Sequence, residues 1–190
     1  MKTSHSVALA GHSRHERVPL TERDSQRSAL YAAERLVHNV FERSASGANV
    51  LAIAGTTVTL PPEARFGSVD SVRDYVDRVL GMESVADRFA RARTPVTVRT
   101  RRGQTQAHYE YDPGGGPGVI AVPVATHGRW AMRELVVLHE LAHHLSPGSA
   151  LDKHGPRFAG TLIDLVGLVL GPEAALVYRV TFGDSGIRVG

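Results

Sequence analysis

The run Leu138-His139-Glu140-Leu141-Ala142-His143-His144 constrains this chain more than any other stretch, because it sets two imidazoles four residues apart with a carboxylate beside the first. Residues four apart on a helix share nearly one face, about one turn or roughly 6 Å along the axis, so His139 and His143 can grip a single ion. Glu140 sits about 100° further round, outside that ligand face yet within reach of a water held there, which is the place of a general base. Zinc held by three protein groups keeps a fourth position for water and lowers its pKa to about 7. The spacing therefore points to a metal-dependent hydrolase.

The residues around the motif read as a helix. Within residues 130–145, Leu135, Leu138, Ala142 and Leu145 recur at helical intervals as one buried stripe, and the two histidines flank it at the edge of the core. His144 points about 100° away from His143, so it reads as structural or supporting rather than as a ligand. A third ligand has to come from downstream, and His154 is the best donor. A second helix starts beside it, with Pro156 near the first helical position, where a missing N–H costs nothing. A metzincin pattern is disfavoured, because Pro147 and Ser149 occupy the interval where its third histidine and fixed glycine belong. In a thermolysin-like pattern the third ligand is a glutamate on a second helix; Glu173 stands at a comparable distance and ranks below His154.

Residues 139–158, in which His154-Gly155-Pro156-Arg157-Phe158 follows the HExxH helix after a short loop, resemble the SprT-like (Spartan-like) zinc metalloproteases. The C-terminal half as a whole is similar to a family of small metallohydrolases found mainly in actinobacteria, themselves only distantly similar to SprT-like proteins and without an established substrate. The resemblance implies that His139, His143 and His154 bind Zn2+ and that Glu140 is the catalytic acid/base. It also implies a compact α+β zincin-like domain, with a small sheet packed on the HExxH helix and a following helix that brings the third ligand. One departure matters. SprT-like DNA-repair proteases commonly carry an extra zinc-binding or DNA-binding segment, and this chain has no cysteine to build one. Repair of DNA–protein crosslinks does not transfer with the motif.

A length of 190 residues with 42% hydrophobic content suits one globular domain with a real core. The expected organisation is a flexible N-terminal arm at 1–25, rich in polar residues, histidine and arginine, and a zincin-like metallohydrolase domain at 26–190. Without cysteine there is no disulfide and no cysteine-based structural zinc site. The apolar residues 7–10 are too short for a signal segment, and Asp164 and Glu173 interrupt the richest apolar stretch, so a cytoplasmic protein without a membrane span is expected. Net charge is +3, and Arg91, Arg93, Arg99, Arg101 and Arg102 fall close together. Such a cluster can meet phosphate or an acidic protein surface, but no nucleic-acid motif accompanies it, and a solvated strand end is the preferred reading.

Periodicity predicts an amphipathic helix over 27–43, with Leu30, Ala33, Leu36, Val37, Val40 and Phe41 on its apolar side. One or two strands follow over 49–60, helices over 68–80 and 83–91, and a hairpin of 94–101 with 106–111 about Gly103. A wide turn at 112–118 leads to a strand over 119–122, expected as the sheet edge on which an extended substrate would lie. Tyr109 and Tyr111 share one strand face, where a hydroxyl could steady an oxyanion, although ordinary strand aromatics are the preferred reading. Asp164, Asp152 and Glu134 are the nearby acids available to hold the outer nitrogens of the ligand histidines. The function expected is a zinc hydrolase acting on a protein or peptide substrate. The alternatives are a non-catalytic, zinc-braced interaction module and a DNA-dependent protease of SprT-like type.

Overall fold

A computed structural model describes residues 24, 26–47, 49–101, 106–112, 116–123, 132–146 and 153–190 of the chain. The arm expected at 1–25, apart from Asp24, lies outside the described residues, as do Arg102, Gly103, Trp130, Pro147, Ser149 and Asp152. The described part is α+β, with six helices and a small sheet.

Helix α1 (Arg27–Ala45) turns Leu30, Ala33, Val37 and Phe41 into the core. Glu34 goes in with them at 4% exposure, while Leu36, expected on the apolar side, is 55% exposed. A short hairpin follows, β1 (Val50–Ile53) against β2 (Thr56–Thr59). Its two-residue turn, Ala54-Gly55, has φ of 48° and 76°, the left-handed pair that lets two strands reverse without splaying. Helix α2 (Val69–Leu80) starts at Ser68, whose hydroxyl accepts the Ser71 N–H at 3.1 Å. Helix α3 (Glu83–Arg88) stops earlier than periodicity predicts and passes into a single 3-10 turn at Ala90–Arg93.

The three strands β3 (Val96–Arg101), β4 (His108–Glu110) and β5 (Gly118–Pro123) form one sheet in the order β3-β5-β4. This corrects the expected β3–β4 hairpin: β4 pairs antiparallel with β5, the next strand in the chain, and β5 runs parallel to β3. The reason lies in side-chain polarity. Strand β5 is apolar along its length and nearly all buried, so it takes the centre, whereas β3 carries Arg99 and Arg101 and β4 carries His108 and Glu110, which suit edges. The same order corrects the expectation that 119–122 is an open edge, because both sides of β5 are paired.

Helix α4 (Glu134–Leu145) runs through the middle, with every residue but His143 buried. Seven of its twelve residues are apolar, which suits a helix in the interior. Its start is clamped by buried charges. Arg133 pairs with Glu63 at 2.5 Å, Glu134 accepts the Tyr75 hydroxyl at 2.6 Å and the Ala64 N–H at 2.7 Å, and the Leu135 N–H reaches Glu63 at 3.3 Å. Helices α5 (Pro156–Leu170) and α6 (Pro172–Asp184) pack against α4 and α1, and part at Gly171, whose φ of 101° only glycine holds without strain.

Gly118 lies against the Tyr109 ring on the neighbouring strand. A Cβ added there would lie 2.3 Å from the Tyr109 hydroxyl and 2.5 Å from its ring, and that ring is wedged against α4. Gly118→Ala should therefore destabilise the fold by about 1–3 kcal/mol, as overpacked sites do, measured as a lowered chemical denaturation midpoint. An unchanged midpoint would mean that the Tyr109 ring is free to move.

Candidate metal centre

Helix α4 presents His139 and His143 one turn apart, and His154, two residues before α5, lies close to them. One ring nitrogen from each of the three lies within 4.8 Å of the others. His139 and His154 are 5% and 3% exposed. Phe158, one turn into α5, lies against all three rings at 5.0, 4.3 and 5.1 Å between centroids, and Tyr31 from α1 covers His139 and His154 at 5.5 and 5.0 Å. The aromatic packing limits each imidazole to a narrow range of orientations.

The hydrogen bonds decide which nitrogens face inward. His139 Nδ1 lies 2.8 Å from Glu34 Oε1, and His154 Nδ1 lies 2.7 Å from Asp24 Oδ2. A carboxylate only accepts, so each Nδ1 carries a proton and each Nε2 is turned toward the cluster. His154 Nε2 is buried with no hydrogen-bond partner among the described residues, and His139 Nε2 faces His143 Nε2 at 3.2 Å. A buried ring nitrogen left without a partner beside two others is costly unless a cation sits among them. The cluster thus fits a metal ion, and the three histidines can hold one.

Charge follows the same plan. Burial disfavours a protonated His139, yet Glu34, by charge and hydrogen bond, and Glu140 outweigh it and raise the pKa from 6.5 to about 9. Burial pushes His143 well down, helped by His139, His154 and Lys153, and burial also lowers His154 against the pull of Asp24. Glu140, one residue along from His139, is raised to about 7, mainly by burial and then by Glu34, against the pull of His139, the Tyr109 backbone N–H and Arg101. It lines a cavity of about 380 Å³ whose walls include Tyr31, Ala107, Val136 and His139.

The placement of His154 depends on both flanks of the fold. Gln26 reaches the His154 carbonyl at 3.4 Å and the Arg188 carbonyl at 3.3 Å, and it accepts the Arg188 N–H at 2.8 Å; Gly190 N–H donates to the Pro156 carbonyl at 2.9 Å. The turn carrying His154 is thereby pinned between the start of α1 and the segment after α6.

Other residues singled out in the sequence are engaged elsewhere. Glu173 lies in the first turn of α6 and is not part of the cluster. His144 is fully buried and spends both ring nitrogens on structure, Nε2 donating to the Thr94 carbonyl at 3.0 Å and Nδ1 accepting the Tyr109 hydroxyl at 3.2 Å. Tyr109 is thereby committed, and Tyr111 is 53% exposed beside Arg91, so neither offers a hydroxyl to the cluster. The acids named from sequence proximity serve elsewhere: Asp164 pairs with Arg88 and Arg179, and Glu134 with Tyr75. The carboxylates that hold the histidines, Glu34 and Asp24, are 105 and 130 residues away in sequence. The one signal that marked Glu34 in advance is its place on the apolar stripe of α1.

The arginine cluster is mostly spent internally. Arg91 donates to the His144 carbonyl, Arg99 pairs with Glu110, and Arg101 contacts His108 and the Gln106 carbonyl. Among the described residues no helix is long and apolar enough to cross a membrane. A scan against protein-family models and searches of curated proteins and of solved structures find no match to this chain.

Glu34→Gln tests the outer hydrogen bond. At pH 9 it should weaken zinc binding about 10- to 100-fold, the usual cost of losing a partner behind a ligand histidine. The sign changes with pH. Glu34 keeps a proton on His139 up to about 9, and the metal takes the neutral ring, so the wild type must release that proton on binding at lower pH. The variant escapes that competition, and its deficit should shrink from pH 9 to pH 6.5. A titration by competition with a chelating dye at both pH values measures it, and a deficit independent of pH would contradict this account.

Proposed function

We propose that the chain is a zinc-dependent hydrolase, a metallopeptidase of zincin-like fold distantly related to the SprT-like proteases, with His139, His143 and His154 as ligands and Glu140 as general base. The observation that carries the reading is the convergence of three imidazole nitrogens next to a buried carboxylate that opens onto a cavity. Zinc is favoured over other ions by an all-imidazole donor set, and the 3.2 Å between the two Nε2 atoms is close to the roughly 3.3 Å that separates nitrogens at zinc bond lengths in a tetrahedron. When bound there, the ion would act as a Lewis acid and make water nucleophilic near neutral pH.

The chain's own residues supply the rest. Glu140 Oε takes a proton from the attacking water and passes it to the leaving amine nitrogen, a role open to a buried carboxylate that lines the cavity beside His139. Glu34 and Asp24 hold the Nδ1 protons of His139 and His154 outward, fixing tautomer and ring orientation. Tyr31 and Phe158 keep bulk water off the rings. A purely structural metal site is usually closed by four protein ligands, and it gains nothing from a carboxylate facing a cavity. That favours catalysis over a zinc-braced module. The internal pairing of Arg91, Arg99 and Arg101 favours a peptidase that works without DNA.

Zinc-loaded wild type and Glu140→Gln, each incubated with a diverse peptide pool with and without duplex DNA, test the reading by mass spectrometry of the products. Cleavage by the wild type alone, undiminished without DNA, is expected. No cleavage by either protein, or equal cleavage by both, would sink it.

A further inference from the structure

Three tyrosines stand near α4, and the fate of the hydroxyl proton separates them. Tyr75 gives its proton to Glu134 at 2.6 Å, and Tyr109 gives its own to His144 Nδ1 at 3.2 Å. Tyr31 differs. The Arg27 guanidinium carbon lies 5.7 Å from its ring centroid, and among the described residues no acceptor takes its hydroxyl proton. A guanidinium can only donate, so Arg27 leaves the O–H available. The ring is held by stacking on His139, with centroids 5.5 Å apart and planes 22° apart, and it is tilted against His154 at 5.0 Å. Tyr31 also lines the same cavity as Glu140 and His139, on the wall that α1 supplies.

We propose that Tyr31 is a catalytic residue, donating a hydrogen bond from its hydroxyl to the substrate oxygen that becomes negative in the transition state, with Arg27 as the positioning residue that fixes the phenol. The proposal rests on the hydrolase reading and names the group that reading lacks. When water adds to the scissile carbonyl, a C–O bond forms, the C=O π pair moves onto oxygen, and the water proton goes to Glu140. The new negative charge then needs a donor already in place, since a preorganised dipole costs no reorganisation at the moment of reaction. Tyr31 meets that need without giving up its proton. The C–N bond next breaks, its electron pair goes to nitrogen, Glu140 returns the proton there, and the Tyr31 hydrogen bond relaxes to a neutral carboxyl product. The cation of Arg27 polarises the phenol and strengthens its donation.

Tyr31→Phe removes one oxygen and keeps the stacking ring, which makes it the informative variant, and circular dichroism with zinc analysis establishes that fold and metal persist. With a peptide that the wild type cleaves, kcat should fall about 10²- to 10³-fold while KM changes less than about threefold, because the contact forms only as charge develops. A phosphinic peptide, whose tetrahedral anionic oxygen mimics the same charge, should bind the zinc-loaded variant by calorimetry at least about tenfold more weakly than it binds the wild type. Arg27→Gln should lower kcat by a smaller factor in the same direction. The proposal is overturned if Tyr31→Phe keeps kcat within threefold of wild type while Glu140→Gln is inactive. Should the wild type cleave no peptide, the hydrolase reading fails on that ground, and phosphinic binding still decides Tyr31: weaker binding by the variant supports it, and equal or absent binding in both proteins overturns it.

Discussion

Glu140→Gln is expected to lose peptide turnover by about 10²- to 10⁴-fold while holding zinc as the wild type does, the range that general acid–base catalysis contributes. The substitution keeps the size and the hydrogen-bonding capacity of the side chain and removes only its ability to take a proton. Glu140 is 5% exposed and is held in place by the Tyr109 backbone N–H, so the amide has a defined place to sit. Burial lifts the carboxyl toward 7 in the metal-free protein, and a bound cation would lower it again. Activity should therefore rise with pH along a limb at or below about 7, the base working only when ionised. Steady-state rates across pH for both proteins, beside zinc content, measure the effect. Loss of zinc together with loss of rate would assign Glu140 to the metal shell instead.

The second large effect concerns stability. Removing zinc from the wild type should lower its thermal midpoint, and His154→Ala should abolish the response. Ligand that binds only the folded state stabilises it by RT ln(1 + [L]/Kd), which is about 4 kcal/mol at a thousandfold excess over Kd. At 190 residues that corresponds to roughly 8–16 °C. His154 is the member of the cluster contributed from outside α4, so its loss leaves the ion two imidazoles from one helix and no tie between α4 and the turn pinned by Gln26. The variant also leaves Asp24 without its partner and opens a small void beside Phe158, so its own midpoint should fall slightly even without metal. Scanning calorimetry with and without chelator separates the two contributions. A variant midpoint that still moves by the wild-type amount would show that His154 is not a ligand.

Local chemistry was legible in the sequence where it is local. The i,i+4 histidines, the carboxylate between them and the proline that opens α5 all sit on elements whose period can be read directly, and His154 follows within one loop. What could not be read depends on contacts between distant segments. Sequence proximity suggested Asp164, Asp152 and Glu134 as partners for the histidines, but Glu34 on α1 and Asp24 just before it fill that role, because the start of α1 lies against His139 and His154. Glu34 breaks the apolar stripe of α1, where Leu36 was expected to point inward; a broken pattern of that kind marks a site that gives up local consistency for chemistry. The sheet order failed for a related reason. Strands β3 and β4 are neighbours in the chain, but the apolar β5 competes for the centre and wins, a choice set by burial on both faces and not by turn signals. The same packing spends the Tyr109 hydroxyl on His144 and leaves Tyr31, on an element far from the motif, as the tyrosine that lines the cavity.

The central claim, that His139, His143 and His154 together hold one zinc, is tested most directly by zinc-edge X-ray absorption on wild-type protein purified without chelator. One zinc per chain is predicted, with three imidazole nitrogens at about 2.0–2.1 Å and one non-protein oxygen. Protein that carries no zinc, or a zinc spectrum requiring fewer than three imidazoles, would contradict it.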